Sequence, residues 1–299
     1  MKDSAVLLID CPDRKGLVAR VSSLLYERGA NILHADQHRD QELGLFFMRV
    51  EWALDPAPVA DRNHPDPAAP TPPFDLEGFQ AAFRPLAEEL DMRWQLTASS
   101  QPTRVALFCS QVLHCIADLL ERWRSGELDC QISLIVSNHR NAEDLARFYG
   151  VPFELVPVTP ATRTEAEARQ LELLAAHNIE LVVLARYMQI LSPQFIARYP
   201  VSIINVHHSF LPAFTGAKPY HAAHARGVKL IGATSHYVTE VLDDGPIIEQ
   251  DVARISHRDQ VEDLVARGRD LERVVLSRAV RWHLDRRILS YGNKTVVFD

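Results

Sequence analysis

The residue types best suited to chemistry are concentrated at 205–209, where an apolar run ends in Asn205, His207, His208 and Ser209. The apolar residues before them are typical of a buried parallel strand, and ligands of open α/β sheets bind beyond the carboxyl ends of such strands. Side chains two residues apart share one side of a strand, which places Asn205 and His207 together. An amide beside an imidazole suits a developing oxyanion, and the imidazole can also transfer a proton.

A second group of polar residues follows a later apolar run that ends at His236. It is the turn 242–246, Leu-Asp-Asp-Gly-Pro, in which a carboxylate can orient a water molecule or take its proton. Both groups also fit purely structural roles, because single histidines often end strands and this composition is common in turns. Spacing alone therefore leaves both interpretations open for Asn205, His207 and Asp243.

Missing motifs and the composition argue against several other classes of protein. The chain lacks the short motifs of serine hydrolases, dinucleotide-dependent enzymes, P-loop NTPases and HExxH metalloproteases. Its four cysteines show no paired ligand spacing, so we predict no metal site. The formal net charge of -7 argues against a nucleic-acid partner but allows a small anionic substrate. No signal peptide and no apolar run of ~18 residues are present, so we expect no membrane association and a cytoplasmic location.

Residues 1–96 predict a small α/β domain, and the length of 299 residues suits two domains. Apolar runs and helical spacing alternate in the order strand, helix, strand, strand, helix, strand, which is the βαββαβ pattern of a ferredoxin-like fold. The segment 56–73 is rich in Pro, Asp and Ala and predicts a disordered-type surface loop within this domain. Residues 97–103 predict a linker.

Residues 104–299 predict a larger α/β domain built on a mostly parallel, doubly wound sheet. Helical stretches separate its apolar strands, which indicates helices on both faces of the sheet. Two later runs, 232–238 and 246–255, have no helix between them and predict an antiparallel pair. A final helix is expected at about 259–286, where Ser256 and Asp259 have the spacing of a capping box. The predicted parallel strands are Val105–Phe108, Ile132–Val136, Phe153–Val156, Leu181–Leu184 and Ile203–Val206.

The segment from Asn205 to Pro212, together with His236 and the following turn, closely resembles the formyltransferase-fold enzymes that use 10-formyltetrahydrofolate. That family carries an Asn, a His two residues later, and an Asp seven residues after a second His. Counted from His236, this spacing selects Asp243 and not Asp244 as the carboxylate.

The segment 186–193 resembles the folate loop of the same family. The resemblance implies that a pterin-like ring lies against the backbone of this loop. The folate-binding residues that it implies are Arg186, Met188, Gln189, Ile190 and Leu191.

Three features resemble the formyltetrahydrofolate deformylases more than the glycinamide ribonucleotide transformylases. His208 stands where the transformylases usually have Pro. The segment 109–115 stands in place of their Gly- and Ser-rich phosphate loop and contains no Gly. Because backbone N–H groups need Gly to approach a phosphate closely, this segment is not expected to bind one. The segment 7–29 resembles the ACT domain that the deformylases carry at their N-terminus.

The resemblance implies hydrolysis of 10-formyltetrahydrofolate to formate and tetrahydrofolate without a cofactor, which balances the one-carbon pool and supplies formate for purine synthesis. Asp243 would hold a water molecule and help to deprotonate it, and Asn205 would donate a hydrogen bond to the oxyanion. His207 would stabilise that oxyanion and pass a proton to the departing nitrogen. His236 would orient Asp243.

The implied ACT domain predicts a homo-oligomer that responds to an amino-acid effector, with methionine and glycine as the family precedent. An oligomerisation module without a ligand is the alternative for this half. For the whole chain, the alternatives are a formyl transferase acting on an amine and a non-catalytic sensor of folate or amino acids.

Overall fold

The part of the chain described by the computed structural model comprises residues 3–54, 73–99, 102–199, 201–213 and 219–298. Two compact units make up the chain, Met1–Gln101 with Val296–Asp299, and Pro102–Thr295. Except for its last position, the predicted loop at 56–73 lies outside the described residues. Within the described ranges, no helix is both long and apolar enough to cross a bilayer.

The first unit has the predicted βαββαβ order and folds into an antiparallel sheet with strand order β2-β3-β1-β4. Apolar side chains of β1 and β3 pack with those of the two helices, and Trp52, Phe79 and Phe83 are fully buried there. Aromatic residues bury the largest areas, so they dominate this core. The element bounds are Ser4–Pro12 (β1), Leu17–Glu27 (α1), Asn31–Asp40 (β2), Leu45–Ala53 (β3), Leu76–Glu89 (α2) and Arg93–Ala98 (β4).

The second unit alternates strands and helices and then ends in an antiparallel strand pair and a long helix. Its sheet has the order β11-β10-β9-β8-β5-β6-β7, with β5 to β9 parallel and β10 antiparallel to both neighbours. The bounds are Thr103–Cys109 (β5), His114–Arg124 (α3), Cys130–Ser137 (β6), Glu143–Tyr149 (α4), Phe153–Leu155 (β7), Arg163–Ala176 (α5), Leu181–Leu184 (β8), Pro193–Arg198 (α6), Ser202–His207 (β9), Pro219–Arg226 (α7), Leu230–Tyr237 (β10), Ile247–Arg254 (β11) and Val261–Leu284 (α8).

Both faces of the parallel sheet are covered. Ala106 and Phe108 of β5 join a core cluster that includes residues of α5 and α6, while Val105 and Leu107 on the opposite face are also buried. Helix α8 packs against β9, β10 and β11. The sequence of a strand that is buried on both sides is a continuous apolar run, which explains why the sequence pattern located these strands well.

The strand order reverses at β5, whose neighbours are β8 on one side and β6 on the other. Open α/β sheets bind ligands outside the carboxyl ends of the strands at such a switch point. Ser110 follows β5 and Arg186 follows β8, so the residues after these two strands line the place where a site is expected.

Several local predictions were wrong or incomplete. Helix α8 begins at Val261, and the capping box is formed by Gln260 and Asp263, not by Ser256 and Asp259. Those two residues form a separate turn, in which Asp259 accepts a hydrogen bond from the Ser256 N–H.

The first unit's last strand and the second unit's first strand also extend into the predicted linker at 97–103, since β4 ends at Ala98 and β5 begins at Thr103. A C-terminal hairpin formed by Ile288–Tyr291 (β12) and Lys294–Val297 (β13) was missed. Its two-residue Gly-Asn turn is a hairpin signal in the sequence.

Candidate active site

A cavity of about 700 Å³ opens at the carboxyl ends of β8 and β9. It is lined by three segments of the second unit: the loop after β8, the end of β9, and the chain between β10 and β11. Every residue that sequence analysis assigned to catalysis or to folate binding lines this cavity: Asn205, His207, His236, Asp243, Arg186, Met188, Gln189, Ile190 and Leu191.

The end of β9 places Asn205 and His207 on the cavity wall. Strand β10 runs antiparallel beside it, so His236 lies opposite Asn205 and Thr234 lies opposite His207. The register between β10 and β11 shifts at Ser235/His236. Such bulges turn side chains next to functional sites. Strand pairing therefore brings the imidazole of His236 beside Asn205.

Asp243 comes from the loop between β10 and β11, and its backbone is left-handed with φ 55. The loop folds back closely on β10, because a Cβ at Gly245 would lie 1.7 Å from the Tyr237 carbonyl oxygen. Only Gly permits this approach. The result is that Asp243 Oδ2 lies 3.2 Å from His207 Nδ1.

The charge of Asp243 is strongly stabilised. The hydrogen bond from His207, with a further contribution from His236, holds the pKa of the Asp243 carboxyl far below its ordinary value of 3.8, although partial burial opposes the shift. Asp243 is therefore a carboxylate at neutral pH. A carboxylate paired with the Nδ1–H of an imidazole fixes the ring and stabilises its protonated form.

His236 is closer to Asn205 than to Asp243. Its Nε2 lies 3.2 Å from the Asn205 amide nitrogen and 3.7 Å from Asp243 Oδ1. Its Nδ1 lies 2.9 Å from the Tyr237 carbonyl oxygen, so a neutral ring with the proton on Nδ1 donates there and accepts at Nε2. Sequence analysis assigned His236 to Asp243, whereas these distances favour Asn205 as the group that it orients.

The turn after β9 is held by buried hydrogen bonds that the sequence did not reveal. Thr234 Oγ1 donates to the Ser209 carbonyl (2.9 Å) and accepts from the Leu211 N–H (3.0 Å). Gln250 Nε2 donates to the same Thr234 hydroxyl (2.9 Å) and to the Leu211 carbonyl (3.1 Å). Because β10 and β11 supply these partners, the end of β9 is fixed by its neighbours in the sheet.

The loop after β8 is tied to β5 by a buried serine. Ser110 Oγ accepts from the Met188 N–H (2.9 Å) and donates to Asn138 Oδ1 (2.8 Å), while the Ser110 N–H donates to the Arg186 carbonyl (3.2 Å). Arg163 also donates to the Ile190 carbonyl (2.6 Å). The backbone that is predicted to bind the pterin-like ring is thus held at several points.

Four apolar side chains remain more than half exposed at the rim of the cavity: Met188 (53%), Ile190 (57%), Val241 (62%) and Leu242 (58%). Two belong to the loop after β8 and two to the loop that carries Asp243. Apolar groups grouped around a concave site are typical of ligand binding. Their arrangement suits a flat aromatic ligand with a polar reacting group directed inward.

A buried polar network lies behind the cavity around Glu272 of α8, which is 1% exposed. Its carboxylate lies 2.8 Å from His114 Nε2, accepts from the Tyr220 hydroxyl (2.8 Å), and lies 3.4 Å from Arg186 Nε. Burial alone would raise the pKa of Glu272, but the bond with His114 and the charge of Arg186 outweigh it and the pKa is lowered.

Sequence analysis missed Glu272. Its position at helical spacing between the buried residues Gly268 and Leu276 of α8 was the available signal, because charged residues on a buried helix face are rare unless they are paired.

The donor atoms of His114, Cys115 and Glu272 lie within 4.8 Å of one another and form a potential metal-binding group. The other contacts of these residues do not favour a cation there. Arg186 already neutralises Glu272, and burial raises the pKa of the Cys115 thiol far above its ordinary value, so the thiol stays protonated. That the protein needs no metal stays a prediction.

Comparison with known proteins yields two family matches. Residues 103–280 match the family described as Formyl transferase, and residues 5–56 match the ACT domain. The chain is 51% identical to the formyltetrahydrofolate deformylase of Synechocystis sp., over 99% of this chain and 98% of that protein. It is 47% identical to the deformylase of Bacillus subtilis, over 100% and 95% of the two chains.

Solved structures give the same result. The formyltetrahydrofolate deformylase of Pseudomonas syringae superposes with a TM-score of 0.92 at 50% identity, covering 100% of this chain and 95% of that one. The glycinamide ribonucleotide transformylase 1 of Symbiobacterium toebii reaches a TM-score of 0.63 at 30% identity, covering 69% of this chain and 98% of that one. The similarity to the deformylases therefore extends over both units.

Proposed function

The chain belongs to the formyltetrahydrofolate deformylases, which are hydrolases, and from this premise we propose that Asn205, His207 and Asp243 hydrolyse the formyl group. The substrate is 10-formyltetrahydrofolate, and the products are formate and tetrahydrofolate. The observation that carries the assignment is the 3.2 Å contact between His207 and Asp243 beside Asn205 in one cavity.

The apolar rim and the loop after β8 support binding of the folate. Met188 and Ile190 of one loop and Val241 and Leu242 of the other offer exposed apolar groups that can contact an aromatic ring. Apolar enclosure of this kind positions the substrate and excludes water from its sides, which holds the formyl carbon near the catalytic residues.

Asn205 is the oxyanion donor. When water adds to the formyl carbon, the carbonyl oxygen becomes negative, and an amide N–H that is already oriented stabilises this charge without reorganisation. His236 lies 3.2 Å from the Asn205 amide nitrogen and restrains its orientation. The amide can then serve the transition state more strongly than the ground state.

His207 carries the proton. Because the pKa of Asp243 is held far below its ordinary value, that carboxylate is a weak base, and the base role that sequence analysis gave it is better suited to the imidazole. His207 Nδ1 is directed to Asp243, which leaves Nε2 to exchange the proton. Water loses this proton as its oxygen bonds to the formyl carbon. His207 returns the proton to the folate nitrogen as the C–N bond breaks.

A formate-release assay with purified protein and 10-formyltetrahydrofolate, without any added acceptor, tests this function. Release of formate and tetrahydrofolate in equal amounts is expected. Formation of a formylated product only when glycinamide ribonucleotide is added would contradict hydrolysis and support the transferase alternative. The internal hydrogen bonds of Ser110 and His114 speak against that alternative, because the segment 109–115 is engaged with the protein itself.

The match of the first unit to the ACT domain supports regulation of the chain by a small molecule. We propose methionine and glycine as effectors and a homo-oligomer as the working form, with a cytoplasmic location. Repeating the formate-release assay with each amino acid tests the effectors, and light scattering in the same buffers tests the oligomeric state. A rate unaffected by both amino acids would leave the first unit without this role.

A further inference from the structure

His208 lies between two cavities of the second unit. Its ring lines the active-site cavity of about 700 Å³ and also a second cavity of about 380 Å³. The described lining of this second cavity is mainly apolar and includes Phe210, Ile231 and Val252. His208 is only 7% exposed, so a buried imidazole forms part of the wall that the two cavities share.

The nitrogens of His208 have no hydrogen-bond partner within the described part of the chain, and the same is true of His207 Nε2. The two rings meet edge-on, with centroids 5.0 Å apart and planes at 85°. A buried polar atom left unsatisfied is destabilising, and folded proteins almost always satisfy such atoms with protein or ordered water. Three such nitrogens on adjacent rings therefore indicate a binding place for a small hydrogen-bonding molecule.

The protonation state of His208 suits water at this place. Burial, with smaller electrostatic contributions from Arg186 and His207, lowers the pKa of His208 to about 4, while Glu272 and Asp243 act in the opposite direction. The ring is neutral at pH 7, with one nitrogen that donates and one that accepts. It can orient a water molecule without competing with His207 for the proton.

We propose that His208 is a further catalytic residue, which holds the hydrolytic water beside His207 Nε2. This inference rests on the proposed deformylase function. The water gives one proton to His207 Nε2 and its oxygen bonds to the formyl carbon. The C–N bond then breaks, and the same proton passes from His207 to the folate nitrogen. His208 keeps its own proton throughout and, of the two reactants, contacts only the water.

The substitution His208→Phe tests this role, because it keeps an aromatic ring in the wall and removes both nitrogens. We expect kcat for formate release to fall ~100-fold with KM for 10-formyltetrahydrofolate unchanged, since only the positioning of water is lost. His208→Asn keeps a donor and an acceptor and should recover at least ~10-fold of that loss. Ile231→Val, a small change in the wall of the second cavity, is the control and should leave the rate unchanged.

A nucleophile-partition assay separates this role from a structural one. Hydroxylamine attacks the formyl group without a bound water, so formyl hydroxamate formation should fall much less than formate release in His208→Phe. The ratio of hydroxamate to formate should therefore rise ~10-fold or more over the wild-type ratio. His208→Leu gives a second removal of the nitrogens, and melting curves show which variants are folded.

The outcomes distinguish the inference from the function on which it rests. If the wild type hydrolyses its substrate but the hydroxamate-to-formate ratio is unchanged in both His208→Phe and His208→Leu, His208 has no role in holding water. If wild-type protein forms hydroxamate and no formate, the deformylase function itself fails, and the inference with it.

Discussion

The contact between His207 Nδ1 and Asp243 Oδ2, 3.2 Å long, joins a residue fixed by the sheet to one presented by a loop. His207 ends β9, whereas Asp243 depends on a left-handed backbone and on the close approach of Gly245 to β10. The loop is thus shaped for one carboxylate, and the neighbouring Asp244 is exposed. Of these two adjacent carboxylates, only that of Asp243 should contribute to the chemistry.

Asp243→Asn should lower kcat for formate release by at least ~10³-fold, because an amide neither fixes the required tautomer of His207 nor stabilises its positive charge. KM should change little, since the folate contacts are made by other residues. Steady-state kinetics measure both constants. Asp244→Asn is the matched control and should behave as wild type. Equal losses in the two variants would contradict the assignment of Asp243.

The depressed pKa of Asp243 also predicts a pH dependence of stability. The folded state binds the proton of this carboxyl less tightly than the unfolded state, so its stabilising contribution is complete above pH ~5 and is lost as pH falls below 3.8. The difference in free energy of unfolding between wild type and Asp243→Asn should shrink by about 1–2 kcal/mol between pH 6 and pH 3. Urea unfolding at each pH measures it. A difference that does not vary with pH would argue against the ion pair.

Asn205→Ala should lower kcat roughly 100-fold, or about 3 kcal/mol in the barrier, through loss of one oxyanion donor. His236→Ala should cost less, because it only frees the Asn205 amide from its 3.2 Å contact. If His236 acts through Asn205, the double variant should lose little more than Asn205→Ala alone. Additive losses in kcat would place His236 in a separate role, such as contact with Asp243.

Strand ends and motif spacing made much of this site predictable from the sequence. Asn205 and His207 share a face because they are two residues apart on a buried strand, and strand pairing brings His236 beside them. The hydrogen bonds of Ser110 to Met188 and of Thr234 to the turn after β9 were not predictable, because these partners lie 78 and 23–25 residues away and only the folded sheet brings them together. The helix start was placed at about residue 259 and not at Val261, because the turn formed by Ser256 and Asp259 just before the helix has the same spacing as a capping box.

Ser110→Ala should weaken folate binding, because the Met188 N–H would lose the hydroxyl that holds it at 2.9 Å. One lost hydrogen bond corresponds to about 1 kcal/mol, so KM should rise roughly fivefold while kcat stays nearly constant. Ser125→Ala, which removes an exposed hydroxyl at the end of α3, is the control. A fall in kcat without a change in KM would show that Ser110 does not act through the folate loop.

Glu272→Gln should destabilise the second unit, because it removes the negative charge that pairs with Arg186, whose side chain is only 15% exposed, while preserving the shape of the side chain. An unpaired buried charge typically costs about 3 kcal/mol, and the amide keeps only part of the hydrogen bonding to Tyr220 and His114. Thermal and urea unfolding of the full chain measure the effect. Asp270→Asn, an exposed pair with Arg273 on the same helix, should cost less than about 1 kcal/mol. Equal stability of the two variants would mean that the charge of Arg186 is satisfied without Glu272.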